Sequence, residues 1–264
     1  MKKIIWIMII SAAIAAGLKA ETSGAGKDAV QEIKKHDITA PTSGEKKVLI
    51  VTGLDYPGHL WRETTPVLRE AVGKDSRMHV TVVEDAKFLA SPELRNYDVI
   101  ILNYMNWQCP GPGAEAQEGL RKAVEGGTGL VLVHFSCGAF QGWPEFVKIA
   151  GRIWNPKFRA HDPRGEFKVE ITDKAHPITA GMEDFQTLDE LYTCLDGSEL
   201  IHVIAKATSR VDKKDYPMAF THEYGKGKVF HSVLGHDVKA LKPEAVGRLF
   251  RRACAWAAGL EPGE

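Results

Sequence analysis

The stretch Gly126–Phe140, GGTGLVLVHFSCGAF, decides the fold. Its two glycines close a preceding helical stretch. GLVLV then forms an unbroken apolar run, too short for a buried helix and suited to a strand covered on both faces. The run stops at His134, with Ser136, Cys137 and Gly138 directly behind it. A strand covered on both faces fits a buried parallel sheet, and an α/β protein follows if strands and helical stretches alternate on either side of it.

The flanking sequence extends this pattern. KKVLIVTG (46–53), MHVTVVED (78–85) and YDVIILNY (97–104) predict further strands. LWRETTPVLREAVG (60–73) and GAEAQEGLRKAVEGG (113–127) carry helical spacing and end at glycine. After Pro163 the rhythm becomes strand-rich, with EFKVEITD, ELIHVIAKA, YPMAFTHEY and GKVFHSVLG, before an amphipathic helix over 243–259. No internal repeat and no second set of core signals appears. The expectation is a single α/β domain over 46–260, with a mostly parallel, doubly wound sheet and a partly antiparallel C-terminal extension.

Residues 1–20 read as a secretory signal peptide: a cationic MKK, an apolar run and a small-residue LKA end before Glu21. The run is short for a membrane span, and an uncleaved anchor is the other reading of it. No cysteine follows it, which argues against a lipid anchor. Residues 21–45 are polar and aperiodic, the pattern of a flexible linker. The expected location is therefore periplasmic or secreted, with no stable membrane anchor after cleavage. The four cysteines Cys109, Cys137, Cys194 and Cys254 allow three pairings in an oxidising compartment or remain free thiols. The 34 basic and 34 acidic side chains balance, and no basic footprint supports nucleic-acid binding.

In an open parallel sheet, ligands sit beyond the carboxyl ends of the strands. The residues there are Asp55 and His59 in TGLDYPGHLW, Asn103, Asn106 and Trp107 in NYMNWQCPG, and His134 in HFSCGAF. Taken singly, each has a structural explanation: loop capping for the asparagines, packing for Trp107. Their joint appearance at strand ends marks a candidate site.

Five segments in order carry a family resemblance: VLIVTG with the following His59, GGTGLVLVHFSCGAF, AGRIWNPKFRAHDP, HPITAGMEDFQTLDELY and PMAFTHEYGKGKVFHSVLGHD. Over roughly Lys46–Gly259 the chain resembles the ThuA-like (trehalose utilisation) family, which has the class I glutamine amidotransferase-like fold, a flavodoxin-like sheet. In amidotransferases the matching strand ends in a cysteine nucleophile on a tight elbow, where this sequence has His134. Their terminal histidine–carboxylate pair corresponds to His236 and Asp237. Cys137 lies three residues late and is expected in the first turn of the next helix, so thioester chemistry on glutamine is not expected.

The resemblance implies catabolism of trehalose or of oxidised, 3-keto disaccharides, with a small carbohydrate as partner. His134, read as lying at an exposed elbow, His236 and Glu190 are the acid/base candidates. His59, Asn106, Trp107, His161 and His222 are candidate substrate contacts. His59, His134 and His236 are also candidate ligands of a divalent metal such as zinc, although no HExxH-type pair is present. A non-catalytic sugar-binding protein using Trp107, Trp143 and Trp154, or a hydrolase of a small amide or ester, are the alternatives. The sequence leaves the oligomeric state open.

Overall fold

A computed structural model describes residues 44–263, so the expected signal peptide and most of the expected linker lie outside the described residues. The first half builds β1 (Lys46–Val51), α1 (Trp61–Gly73), β2 (Met78–Val83), β3 (Val99–Leu102), α2 (Ala114–Gly126) and β4 (Gly129–Val133). There follow α3 (Phe146–Ala150), β5 (Ile153–Trp154), β6 (Gly165–Ile171), β7 (Phe185–Asp189), β8 (Leu195–Asp196), β9 (His202–Thr208), β10 (Asp215–Tyr224) and β11 (Gly227–Ser232). Short α4 (Val238–Leu241) and α5 (Glu244–Ala257) complete the described chain.

Nine strands form one sheet in the order β2-β1-β3-β4-β11-β10-β9-β6-β7. The pairings from β2 to β11 are parallel, and those from β11 to β7 antiparallel. The expected mixture is therefore present, with β11 as the seam. β5 and β8 make a separate two-stranded ribbon.

Alternation explains why the parallel strands are apolar throughout. Val48, Ile50, Val99, Ile101, Val131 and Val133 join one core with Leu68 and Val72 of α1 and Leu249 and Phe250 of α5. Leu49, Val51, Ile100, Leu102, Leu130 and Leu132 point the other way, onto Leu120 and Val124 of α2. Successive side chains leave opposite faces, so a sheet with two cores needs an apolar residue at every position. Among the described residues no helix is long and apolar enough to cross a membrane.

Two backbone positions shape the carboxyl edge. Gly53, at φ +107°, lies two residues past β1, where a side chain would collide with the Glu84 carbonyl, so glycine is required. His134 adopts φ +48° without being glycine, at the step from β4 into a 3₁₀ turn, His134–Gly138. A strained strand-to-turn step of this kind aims one side chain across the end of a sheet.

Candidate functional site

Four strand ends deliver the site. The loop after β1 brings His59, β4 ends at His134, β7 runs into Glu190, and the turn after β11 carries His236. His134 Nε2 lies 3.1 Å from His59 Nε2 and 3.3 Å from His236 Nδ1. Glu190 Oε2 is 3.6 Å from His134 Nε2 and 3.3 Å from His236 Nδ1. The donor atoms of all four residues fall within 4.8 Å of one another.

The sequence reading places His134 at an exposed elbow. The structure corrects this: His134 is only 3% exposed. Its ring is enclosed by Tyr192, with centroids 4.6 Å apart, and by His59 at 4.9 Å. Its Nδ1 donates to the Val233 carbonyl at 2.7 Å, which leaves the lone pair of the neutral ring on Nε2. Three groups crowd onto that single lone pair: the His59 and His236 nitrogens and the Tyr192 hydroxyl, the last at 2.8 Å.

The electrostatics follow from this crowding. Burial, then the neighbouring His134 and His236 imidazoles, push His59 down to about 2, so it stays neutral at ordinary pH. Burial acts to raise Glu190, but its contacts with His134 and His236 dominate and hold the carboxyl well below the usual carboxylate range. Burial acts to lower His236, but Glu190 outweighs it and holds the imidazole above its ordinary value.

These donors fit a metal ion. Ligand bonds of about 2.1 Å in a tetrahedron put neighbouring donor atoms about 3.4 Å apart. Four of the six separations, 3.1, 3.3, 3.3 and 3.6 Å, bracket that spacing, and the remaining two fall within 4.8 Å. Imidazoles with a carboxylate suit zinc and its first-row neighbours. The bond from His134 Nδ1 to a backbone carbonyl is the outer support that fixes a ligating tautomer.

The other sequence candidates are placed as follows. His161 lies beside the cluster: its Nδ1 donates to the Asp162 carbonyl at 2.7 Å and its Nε2 is 3.7 Å from Glu190 Oε1. Asn106 acts on backbone, donating to the Cys109 carbonyl and accepting from Phe140 N–H. Trp107 packs on Phe135 and Trp154, with centroids 5.6 and 5.8 Å apart. His222 stands apart from the cluster; its Nε2 is bonded to the Ile149 carbonyl at 2.9 Å. A small cleft, open to one side, lies beside the three clustered imidazoles, and Trp61, Thr64, Tyr104 and Met105 help to line it.

Sequence reasoning missed Asp189 and Tyr192, neighbours of Glu190. Asp189 is fully buried; it accepts from Gly235 N–H at 2.7 Å, Glu190 N–H at 2.8 Å and His236 N–H at 3.3 Å. The available signal was the polar residue ending FQTLD, a short strand that the sequence reading passes over.

Cys137 lies in the 3₁₀ turn rather than in a following α-helix. Its thiol is buried, and burial pushes its pKa well above the ordinary thiol range, which opposes the thiolate a nucleophile needs. A Cys137→Ser change is expected to leave turnover within a few-fold of wild type. Complete loss of turnover with the fold intact would identify a thiol nucleophile.

Comparisons place the chain and its fold among known proteins. The sequence profile described as ThuA, trehalose utilisation, matches residues 47–257. The fold resembles the crystal structure of a ThuA-like protein from Parabacteroides merdae, at 24% identity and TM-score 0.73, covering 83% of this chain and 92% of that one. A ThuA-like protein from Bacteroides uniformis is similar at 18% identity and TM-score 0.67, covering 85% and 95%. A β-galactosidase from Bacillus circulans shares the fold at 13% identity and TM-score 0.58; the match covers 83% of this chain and 32% of the galactosidase. No curated protein matches at a significant level.

Proposed function

This chain belongs to the ThuA (trehalose utilisation) family, and from that premise we propose that it is a carbohydrate-processing enzyme built around a divalent cation such as zinc. His59, His134, His236 and Glu190 are the residues that would hold the ion. The observation carrying this reading is the convergence of three imidazole nitrogens and a carboxylate oxygen on one point, with more groups facing His134 Nε2 than one lone pair can satisfy.

The proposed substrate is a trehalose-type disaccharide or its 3-keto derivative. A 3-keto group acidifies the proton on C2. A base takes that proton, the electron pair forms the enolate, and the C1–O bond breaks with the leaving oxygen gaining a proton. A bound dication would supply the electrophile for the enolate oxygen. Hydrolysis at C1 is the other course open to the same groups.

His161 suits the proton-transfer role. It is about a third exposed, its Nδ1–H is engaged by the Asp162 carbonyl, and its Nε2 lone pair is left beside Glu190. The burial of His134 favours a ligating role for it over direct contact with a sugar carbon. Without the ion, the His236–Glu190 pair supplies an imidazolium acid.

The test joins elemental analysis of purified protein with assays on native and 3-keto disaccharides. One metal per chain and turnover of a keto-disaccharide are expected. Sugar binding without turnover would replace the enzyme by a binding protein on the same fold.

We also propose export, which rests on the arrangement of residues 1–20. N-terminal sequencing of exported material is expected to begin near Glu21. Retention of Met1 in exported material would overturn the cleavage near Glu21 and favour the uncleaved anchor; absence of the chain from exported fractions would overturn export.

A further inference from the structure

We propose that Tyr192 is a fifth ligand of the cation centre, which would then comprise three imidazoles, one carboxylate and one phenolate. The inference rests on the metal reading above, but its own observations are separate. The Tyr192 hydroxyl is 2.8 Å from His134 Nε2, and that nitrogen is its only hydrogen-bond partner among the described residues. The residue is 2% exposed, so water offers no substitute.

An ion at the centre takes the lone pair of His134 Nε2, and the buried phenol then loses its acceptor. A buried hydroxyl without a partner is unfavourable, and ligation removes the problem. The phenol oxygen stands 2.8 Å from His134 Nε2, the atom that the other two imidazole nitrogens also face at 3.1 and 3.3 Å, so it lies on the cluster side of that ring.

Packing prevents retreat: the Tyr192 ring lies 5.2 Å from Trp154, 6.3 Å from Phe135 and 5.9 Å from His161, centroid to centroid. Its backbone is also bridged to His161. On ligation the O–H bond breaks, the proton leaves to solvent, and an oxygen–metal bond forms without redox change. Two anionic oxygen donors widen the acceptable ions from zinc towards harder first-row metals.

Cupric ion is the probe, because it binds tightest in the first-row series. The purified full chain is stripped with chelator and titrated with copper. Expected are one copper per chain, an intense visible phenolate-to-copper band and resonance-enhanced phenolate ring vibrations. Tyr192→Phe is expected to lose the band and to bind copper at least tenfold more weakly, whereas Tyr97→Phe, just before the amino end of β3 and so at the opposite end of the strands, keeps both.

Copper bound one-to-one with only weak d–d absorption would overturn the inference and leave the four-donor centre standing. A band that persists in Tyr192→Phe would overturn it too. A folded wild type that binds no copper would end this inference and the metal reading together. If Tyr192→Phe does not fold, ring-deuterated tyrosine in the wild type settles the point: unshifted vibrations overturn the assignment.

Discussion

His134→Ala is expected to lose its bound metal and at least a hundredfold in turnover, while His222→Ala keeps both within a few-fold. The contrast separates two buried histidines, one named from the sequence as an acid/base and metal-ligand candidate and the other as a substrate contact. His134 Nε2 faces His59, His236 and Glu190, so its removal takes away the atom around which the other donors are arranged. A general acid, base or principal ligand contributes factors of a hundred to ten thousand. His222 Nε2 faces the Ile149 carbonyl at the end of α3. Its removal strands that carbonyl and costs stability, about 1–3 kcal/mol for an unpaired buried group, without touching the centre.

Metal content by elemental analysis, turnover and thermal melting are measured on both variants. His134→Ala also leaves the Tyr192 hydroxyl unpartnered, so some loss of melting temperature accompanies the loss of metal. Equal turnover in His134→Ala and wild type would remove the cluster from the chemistry.

The fold was legible where burial on two faces forces a continuous apolar run. LVLV (130–133) and VLIV (48–51) can be read because every position enters one core or the other. β7 was not legible: FQTLD alternates exposed and buried positions at the edge of the sheet, and five residues of mixed character read as loop. Missing that strand hid Asp189, and with it the reason that Glu190 stands where it does.

The cluster itself was half legible. His59, His134, His236 and Glu190 were named from motifs at strand ends, yet their separations depend on four segments distant in sequence. His222 fell in an equally suggestive motif, but β10 turns it towards α3. The burial of His134 could not be read from HFSCG, since Tyr192, which encloses it, is contributed by the segment after β7.

Asp189→Asn is expected to weaken metal binding ten- to a hundredfold although residue 189 touches none of the ligating atoms. The native carboxylate has two acceptor oxygens facing three backbone donors: Oδ2 takes Gly235 N–H, and Oδ1 takes Glu190 and His236 N–H. Through these bonds one side chain joins the end of β7 to the turn after β11, and so sets Glu190 against His236. Asparagine keeps one acceptor and presents an NH₂ in place of the other. In one orientation that NH₂ meets Gly235 N–H; in the other it meets the two remaining donors. Either way a donor faces a donor in a dry site, at about 1–3 kcal/mol per unpaired group.

The turn relieves this by moving, and it carries His236 with it. Outer-shell changes of this kind cost 10–100-fold in metal affinity. The carboxylate also needs its three N–H bonds for a second reason: burial raises its pKa, opposed by the charge of His134 and by those bonds. Metal titration and thermal melting on the same preparation make the test. Lower melting with unchanged metal affinity would show that Asp189 supports the fold alone, and that the His236 turn holds its position without it.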